Sequence, residues 1–595
     1  MANLFLDSHK MWFFSGDSKL NKLTNFSSQR PKRRLPLPSF GIDINFCRNP
    51  HCGFFTEPPD PYDNRGKSSA KVKSNHPRGT VIGSGDEKTF KCGACGQSSI
   101  IKNNGAVVEE YRRLRVRFQP EAPRDFCPSQ ACDSHQKQLS LHPELYRKSG
   151  RTAKGTQRWK CKACLTSFTV GSRITRQHRS NANREVLWMI TNGVPISKIC
   201  DFTGLCPRDV YRKIDFIYDR VVDITARREG TFDKVDWNTV GRRFATDSQT
   251  LHLNWPNKKT RAQIAVQHLC TAHANTGYIM AAHLGLDPSI ELPEVEAAMT
   301  SAGDFSKPRA FRSQARVWSE TEFKAYVDKI TRHVAIHPME APDVDLDLQL
   351  PHRGAMIRQD VMQLAHAFLL RRFLGKGDER FIFVLDADSG LALSFVSAFA
   401  KWIKQERADV IVVNFDKNQS NDQRYMLVNE GQEARTLATG ISRSKWNAFT
   451  KKEKDDHTDV VIEGLLQGHL INEAFAWPFH TKSEPHRRIR ILTDRDSMAP
   501  DRRARLMRLA TLRSVDAYFH KVRSNIRFAA RPAHTPSGNG RTWDRHYLYN
   551  PETMAKIIEI YRFTHNWMGS SKTKKTPAMK LGLARGKMRP NEFFE

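Results

Sequence analysis

No stretch of about 18 consecutive apolar residues occurs anywhere in the 595-residue chain, which excludes a helical membrane span. Cysteine is sparse, with eleven residues, too few for a disulfide scaffold and reduced in any case in a cytosolic setting. Negative charge is also short: 63 Asp and Glu stand against 95 Lys and Arg, a net charge of +32. That imbalance points to a polyanionic partner, nucleic acid before an anionic membrane surface. With 39% hydrophobic and 10% aromatic residues, the chain is not a mostly disordered basic tail. The stretch Met1 to Phe40 has neither the apolar core nor the small-residue cleavage site of a secretory signal. The expectation is a soluble cytoplasmic, nucleoid-associated protein without a membrane partner, in roughly three to five domains.

The cysteines that are present are ordered. Eight of the eleven precede residue 165, in two copies of one pattern: Cys47-x4-Cys52 with Cys92-x2-Cys95, then Cys127-x4-Cys132 with Cys161-x2-Cys164. Zinc takes four soft ligands in a tetrahedron, and two close-spaced pairs on separate turns supply them. Each second pair lies in a knuckle-like turn, Lys91 to Gly96 and Lys160 to Leu165. The first gap, Thr56 to Asp86, is rich in Pro, Gly, Ser and Lys and reads as a polar loop. Two structural zinc ribbons follow from this pattern, each stapling a domain with little core of its own. Cys200, Cys206 and Cys270 lack such partners and read as ordinary core or surface residues.

Helical periodicity begins at Asn183. Val186, Leu187, Met189 and Ile190 form an apolar stripe that breaks at Asn192-Gly193. A short second helix from Ile196 to Phe202 ends at Thr203-Gly204, and a third starts after Cys206-Pro207, with Val210, Ile214, Ile217 and Val221 on one face. This is the helix-turn-helix pattern, with Arg208, Arg212 and Lys213 at the groove-facing start of the recognition helix.

The segment Phe126-Cys-Pro, continuing through Arg151-Thr-Ala-Lys-Gly-Thr-Gln-Arg-Trp-Lys-Cys-Lys-Ala-Cys-Leu-Thr-Ser-Phe168, resembles the amino-terminal zinc ribbon of transposases of the insertion-sequence-one family. The Gly-x-x-Arg-Trp-Lys-Cys core, the Phe after the second cysteine pair and the helix-turn-helix that follows carry the likeness. The ribbon at Cys47 to Cys95 is extra relative to short members. The resemblance implies a DNA transposase of the aspartate-aspartate-glutamate type, with an RNase H-like catalytic domain and two catalytic Mg²⁺ ions. It also implies double-stranded DNA partners, both element ends and target, and a homo-oligomer on DNA.

Two-metal phosphodiester cleavage needs converging carboxylates. In an RNase H-like core the first lies on the opening strand, the second at the end of the fourth and the third on a later helix. The first candidate is Asp247, in the strand-like run Arg243 to Asn254; runs Gln263 to Cys270 and Gly277 to Gly285 follow as the second and third strands. After a helix from Val361 to Phe373, the apolar run Phe381 to Leu385 ends in Asp386-Ala-Asp388-Ser-Gly390, and a helix begins near Leu391. Asp388 matches the family's Asp-x-Gly strand end; Asp386, one pleat earlier on the same face, is its substitute. The next strand runs from Ala408 to Phe415. A helix from Arg502 to Arg527 carries Asp516 with Arg523 seven residues on, where such transposases have Glu and Arg. The Tyr549 to Leu583 stretch resembles the helix and Thr-Pro-Ala tail that follow the third acid. Asp494, in Arg490-Ile-Leu-Thr-Asp-Arg-Asp496, resembles the second-acid strand of mutator-like transposases, with His520 downstream, and is the rival placement.

The expected fold is multidomain. A basic segment spans 1–40, zinc ribbons 41–118 and 119–180, and the all-α helix-turn-helix 181–230. An α/β RNase H-like domain spans 240–530, with insertions near 288–350 and 418–485, and a carboxy-terminal helix and basic tail occupy 531–595. Asp247, Asp388 and Asp516 would hold Mg²⁺, the eight cysteines two Zn²⁺, and Arg208, Arg212, Lys213 and Arg523 would touch DNA. Basic pairs such as Lys258-Lys259 would follow the backbone. The expected activity is cleavage and strand transfer at the ends of an insertion element. A transposase-derived regulator that binds DNA without cutting it is the alternative.

Overall fold

The computed structural model describes residues 33–594, apart from 60–78, 84, 119–124, 136, 140, 153–156, 171–176, 231, 255–263, 337–348, 376, 417–418, 472, 531–545 and 571. Lys258-Lys259 and most of the basic amino-terminal segment lie outside these residues.

The cysteine repeat is a structural repeat. Strands β1 (Gly79–Ile82), β2 (Thr89–Cys92) and β3 (Ser98–Ile100) form one antiparallel sheet in that order. Helix α1 (Asn104–Val116) follows, capped by the Asn103 side chain accepting from the Ala106 amide. Strands β4 (Tyr146–Arg151), β5 (Gln157–Cys161) and β6 (Ser167–Thr169) repeat the arrangement. The first gap, read as a polar loop, therefore contains β1. Its Pro- and Gly-rich composition masked a four-residue strand.

Three helices come next: α2 (Ala182–Ile190), α3 (Ile196–Thr203) and α4 (Pro207–Glu229). Gly204, at φ 63°, terminates α3 in the left-handed region, and Pro207 opens α4 where a missing amide hydrogen costs nothing. The buried stripe Val186, Leu187, Ile190, Ile199, Val210, Ile214 and Ile217 packs the three together. α4 runs on well past this bundle. Its last residue, Glu229, lies in the interior of the chain's main core.

That core begins after α5 (Trp237–Val240) with β7 (Arg243–Leu253), β8 (Ile264–His273) and β9 (Ile279–Leu284), consecutive and antiparallel. β10 (Leu286–Asp287), α6 (Leu292–Ser301), α7 (Glu320–Ile336) and β11 (Ala355–Met356) precede α8 (Gln359–Phe373). β12 (Phe381–Asp386) then returns parallel to β7. After α9 (Ser389–Ala398) and α10 (Ala400–Lys404), β13 (Ala408–Asn414) lies parallel to β12. An insertion of helices α11 (Asn421–Thr439), α12 (Arg443–Ala448) and α13 (Lys451–Leu465) leads to β14 (Phe475–Ala476) and β15 (Arg488–Ile491). The sheet order is β14-β15-β13-β12-β7-β8-β9. The polar stretches expected to be insertions are thus mostly helical, α11 and α13 each opening with a capping box.

The expected single helix from Arg502 to Arg527 is two, α14 (Pro500–Leu509) and α15 (Arg513–Asn525), broken where Ala510 leaves helical geometry at ψ 88°. α16 (Pro551–Phe563), α17 (Pro577–Lys580) and α18 (Pro590–Phe594) complete the chain. α15 covers one sheet face over β7 and β8, while α9 covers the other over β12 and β13. Strands covered on both faces read as continuous apolar runs, as Phe381 to Leu385 does. The chain is thus a multidomain α/β protein, and among its described residues no helix is long and apolar enough to cross a membrane.

Candidate functional site

The two cysteine groups close in space. Cys47 and Cys95 sulfurs lie 3.6 Å apart and Cys52 and Cys92 3.7 Å. In the second group Cys127 and Cys164 are 3.2 Å apart and Cys132 and Cys161 3.7 Å. Within each group all four sulfurs lie within 4.8 Å of one another. A disulfide needs about 2.05 Å. Four thiolates about 2.3 Å from one tetrahedral ion lie about 3.8 Å apart, close to these spacings. Both knuckles use one turn: Gly96 N–H bonds the Cys92 carbonyl and Leu165 N–H the Cys161 carbonyl, with φ of 70° and 59°. The Thr166 hydroxyl, then its amide, holds the Cys164 thiol down to about 6, so it is thiolate at neutral pH. Each group is able to hold a metal ion.

Asp247 sits near the middle of β7, buried, its Oδ1 accepting the Ser248 amide at 2.7 Å. β12 pairs with β7 in the register Ile382–Arg243 through Leu385–Thr246. The paired register ends there; one further step along it would set Asp386 beside Asp247 on one face at the carboxyl end of β12. Asp388, expected there, has left the strand. It caps α9, which begins at Ser389: Oδ1 accepts the Gly390 amide at 2.7 Å, and Oδ2 accepts the Gln359 and Gln363 side-chain amides at 2.9 Å each. Asp494 lies at the opposite end of the sheet. β15 runs antiparallel to β13, so its carboxyl end meets the start of β13, where Thr493 accepts the Val410 amide. The Asp494 carboxylate is held there by Arg503 at 2.9 Å.

α15 runs alongside β7 in the same direction. Arg243 donates to the Leu509 carbonyl just before the helix, and near its end Arg523 donates to Gln249 Oε1 at 2.6 Å. Asp516 precedes Arg523 by seven residues, two turns back on the same face, or about 10.5 Å along the axis. The same distance back from Gln249 is about three strand residues, which brings half-buried Asp516 level with Thr246 and Asp247. Gln249 was not singled out by sequence, although its place two residues beyond Asp247 on the same face was a signal. Its amide nitrogen faces His268 Nδ1 at 3.0 Å, and His268 Nε2 lies 3.2 Å from the sulfur of Cys270, the cross-strand partner of Asp247. Burial pushes His268 down to about 3, so the ring is neutral: Nδ1 accepts from Gln249 and Nε2–H points to sulfur. Among the described residues only the cysteine groups bring three or more ligand atoms within 4.8 Å of one another; the acids do not converge that closely.

On α4, Arg208 and Arg212 are exposed, Arg212 lying 3.5 Å from Asp209. Phe202, 73% exposed, precedes them in sequence, and Tyr211, 39% exposed, lies between them. Lys213 is different. It is buried and donates to the His178 and Arg179 carbonyls at 3.0 Å and to Asn183 Oδ1 at 2.8 Å. The expected DNA contact thus gives way to a role in fastening α4 to the start of α2, because position 213 falls on the packed face beside Ile214 and Ile217. Comparison with protein-family models, with curated proteins and with solved structures found no match.

Proposed function

We propose that this chain is a DNA transposase that cuts and joins strands at Asp247, Asp386 and Asp516 on an RNase H-like core. The observation that carries the reading is the β12–β7 register, which runs to Leu385–Thr246, the residues just before Asp386 and Asp247. Three antiparallel strands opened by the Asp-bearing one, with a fourth and fifth parallel beside it, are what such a core requires. Asp386, not Asp388, is then the second acid.

The donor set fits Mg²⁺, a hard cation that favours carboxylate oxygens. Asp247 and Asp386 would hold it with Asp516. Mg²⁺ held there would supply activation of water and later of a DNA 3′-hydroxyl, and stabilisation of the leaving oxygen. The chain's own groups set the stage for that. The Ser248 amide fixes the Asp247 carboxylate, and Gln249 orients the Arg523 guanidinium, a bidentate donor suited to a strand phosphate. The four-cysteine groups fit zinc by donor softness and spacing, and the ribbons would brace the DNA-binding end. α2 to α4 act as the helix-turn-helix, with Arg208 and Arg212 on duplex DNA and cutting at paired ends by an oligomer.

The test is Mg²⁺-dependent nicking of DNA carrying the inverted repeats that bracket the reading frame. Native protein nicks and joins; Asp247→Asn and Asp386→Asn bind the DNA and do neither. A second reading, a regulator that binds without cutting, is favoured by the acids' failure to converge within 4.8 Å. Tight duplex binding by the native chain with no nicking would establish it and end the first.

A further inference from the structure

A cavity of about 1390 Å³ opens past the end of β12, on the sheet face opposite the acid pair. Its lining includes Asp388, Ser389 and Gly390, immediately past β12, and Thr250, three residues or about 10 Å along β7 from Asp247. One wall is aromatic. Trp318 and Tyr326 are 5.0 Å apart, and Tyr326, on α7, is 42% exposed. Another carries the amides of Gln267, Gln359 and Gln363.

The cations that line it are mostly paired. Arg312 meets Asp86 and Glu322, Arg358 meets Glu322 at 2.5 Å, Arg309 meets Glu87 at 2.6 Å and Lys102 meets Asp360 at 2.6 Å. A cavity so neutralised does not suit a bare phosphate chain. It suits a flat, uncharged group with hydrogen-bonding edges. Arg358, 2% exposed, stacks 4.0 Å from the Trp318 ring and backs that aromatic wall. The volume exceeds the roughly 300–1,000 Å³ of a typical small-molecule site, leaving room for more than one base.

We propose that this cavity takes unpaired nucleobases of the strand being cut, with Tyr326 as stacking platform and the glutamine amides meeting base edges. The proposal rests on the acid pair being the cleavage site. Only an unpaired nucleotide presents its base in this way, since a duplex keeps base faces inside the stack. Phosphates would stay outside, near exposed Lys329 at the rim.

The experiment measures binding of the full chain to labelled single-stranded oligothymidylate, to a duplex of equal length, and to the oligonucleotide with free dTMP as competitor. Tyr326→Ala weakens single-strand binding about tenfold, Tyr326→Phe keeps it, and duplex binding is unchanged by either. Unchanged single-strand binding in Tyr326→Ala overturns the proposal, as does an equal loss on duplex. Free dTMP competing as tightly as the oligonucleotide overturns the strand as the source of the base. Nicking is followed in parallel with Asp386→Asn. If that variant nicks normally while Tyr326→Ala loses the single strand, the acid-pair reading fails and the base cavity stands.

Discussion

Asp386 and Asp388 are two positions apart, and the backbone gives them different partners. Asp388 has an amide and two glutamines on its oxygens, a full set for a helix cap. Asp388→Ala therefore lowers stability by about 1 kcal/mol, the usual value of a lost N-cap, seen as a lower Tm, and leaves nicking standing. Asp386→Asn leaves Tm unchanged and lowers nicking on the order of 10²-fold, a loss typical of removing one group aimed at developing charge. The reverse pattern would return the second acid to the cap position. Lys213 and Arg212 form a similar contrast. Lys213→Ala strands the buried Asn183 oxygen and removes two part-buried bonds to the His178 and Arg179 carbonyls, and costs about 1–3 kcal/mol, read by urea unfolding. Arg212→Ala leaves unfolding alone and reduces the salt slope of duplex binding by about one. Sequence period could not separate the two aspartates, because residues two apart on a strand share a face and the last paired residue and the first capping residue look alike. On α4 the helical period, by contrast, does set Lys213 with Val210 and Ile217 on the packed side.

The elements that were legible in sequence are those with strong local chemistry. The duplicated cysteine spacing foretold two matching sheets, and Gly204 and Pro207 marked the end of α3 and the start of α4. The apolar run before Asp386 marked β12. What escaped had no local signature: β1 inside a Gly- and Pro-rich gap, the break between α14 and α15, and the partners of Asp388 on α8, some 25 residues distant. The two ribbons also differ in a way the spacing concealed. The second is cored by Cys127, Tyr146 and Cys161 alone among fully buried apolar residues. The first adds Leu35, Phe90, Ile101 and Ala310 and is tied onward through α1 against α8. A metal-binding domain without a core folds only when loaded. Chelation should therefore expose the amides of residues 127–169 to hydrogen exchange before those of 79–101, with two zinc ions released per chain. Simultaneous exposure of both segments would sink the distinction.

Across the fold, buried charge and buried histidine decide how the α2–α4 bundle and the sheet stay together, and at what pH. Arg562 on α16 bonds Glu229 at the end of α4 at 2.7 Å and Glu559 at 2.7 Å, and Tyr278 donates to Glu229 at 2.6 Å. The long helix that begins at Pro207 is thereby fixed to the sheet. Around that sheet lie His268, His273, His283, His366 and His565. Burial pushes His268 and His366 down to about 3, His273 and His565 down to about 4, and His283 well below its ordinary value. Each is neutral when folded, whereas in the unfolded chain it titrates near 6.5. Above that pH both states carry the same protons and nothing is lost. As pH falls from 6.5 toward 4, only the unfolded chain gains protons, so stability drops by about 1.4 kcal/mol per pH unit for each histidine. At pH 5.5 the four with defined values give a difference of about 3.6 protons, steep enough to unfold a domain of ordinary stability near pH 5. His283 is the residue to change. Neither ring nitrogen has a partner among the described residues, and its ring packs 5.1 Å from His366. His283→Phe therefore keeps stability at pH 7.5, where the imidazole is neutral in both states, and raises it at pH 5.5 by about 1.4 kcal/mol. Urea unfolding at the two pH values measures both, and an equal effect at each would show that His283 contributes packing and no proton linkage.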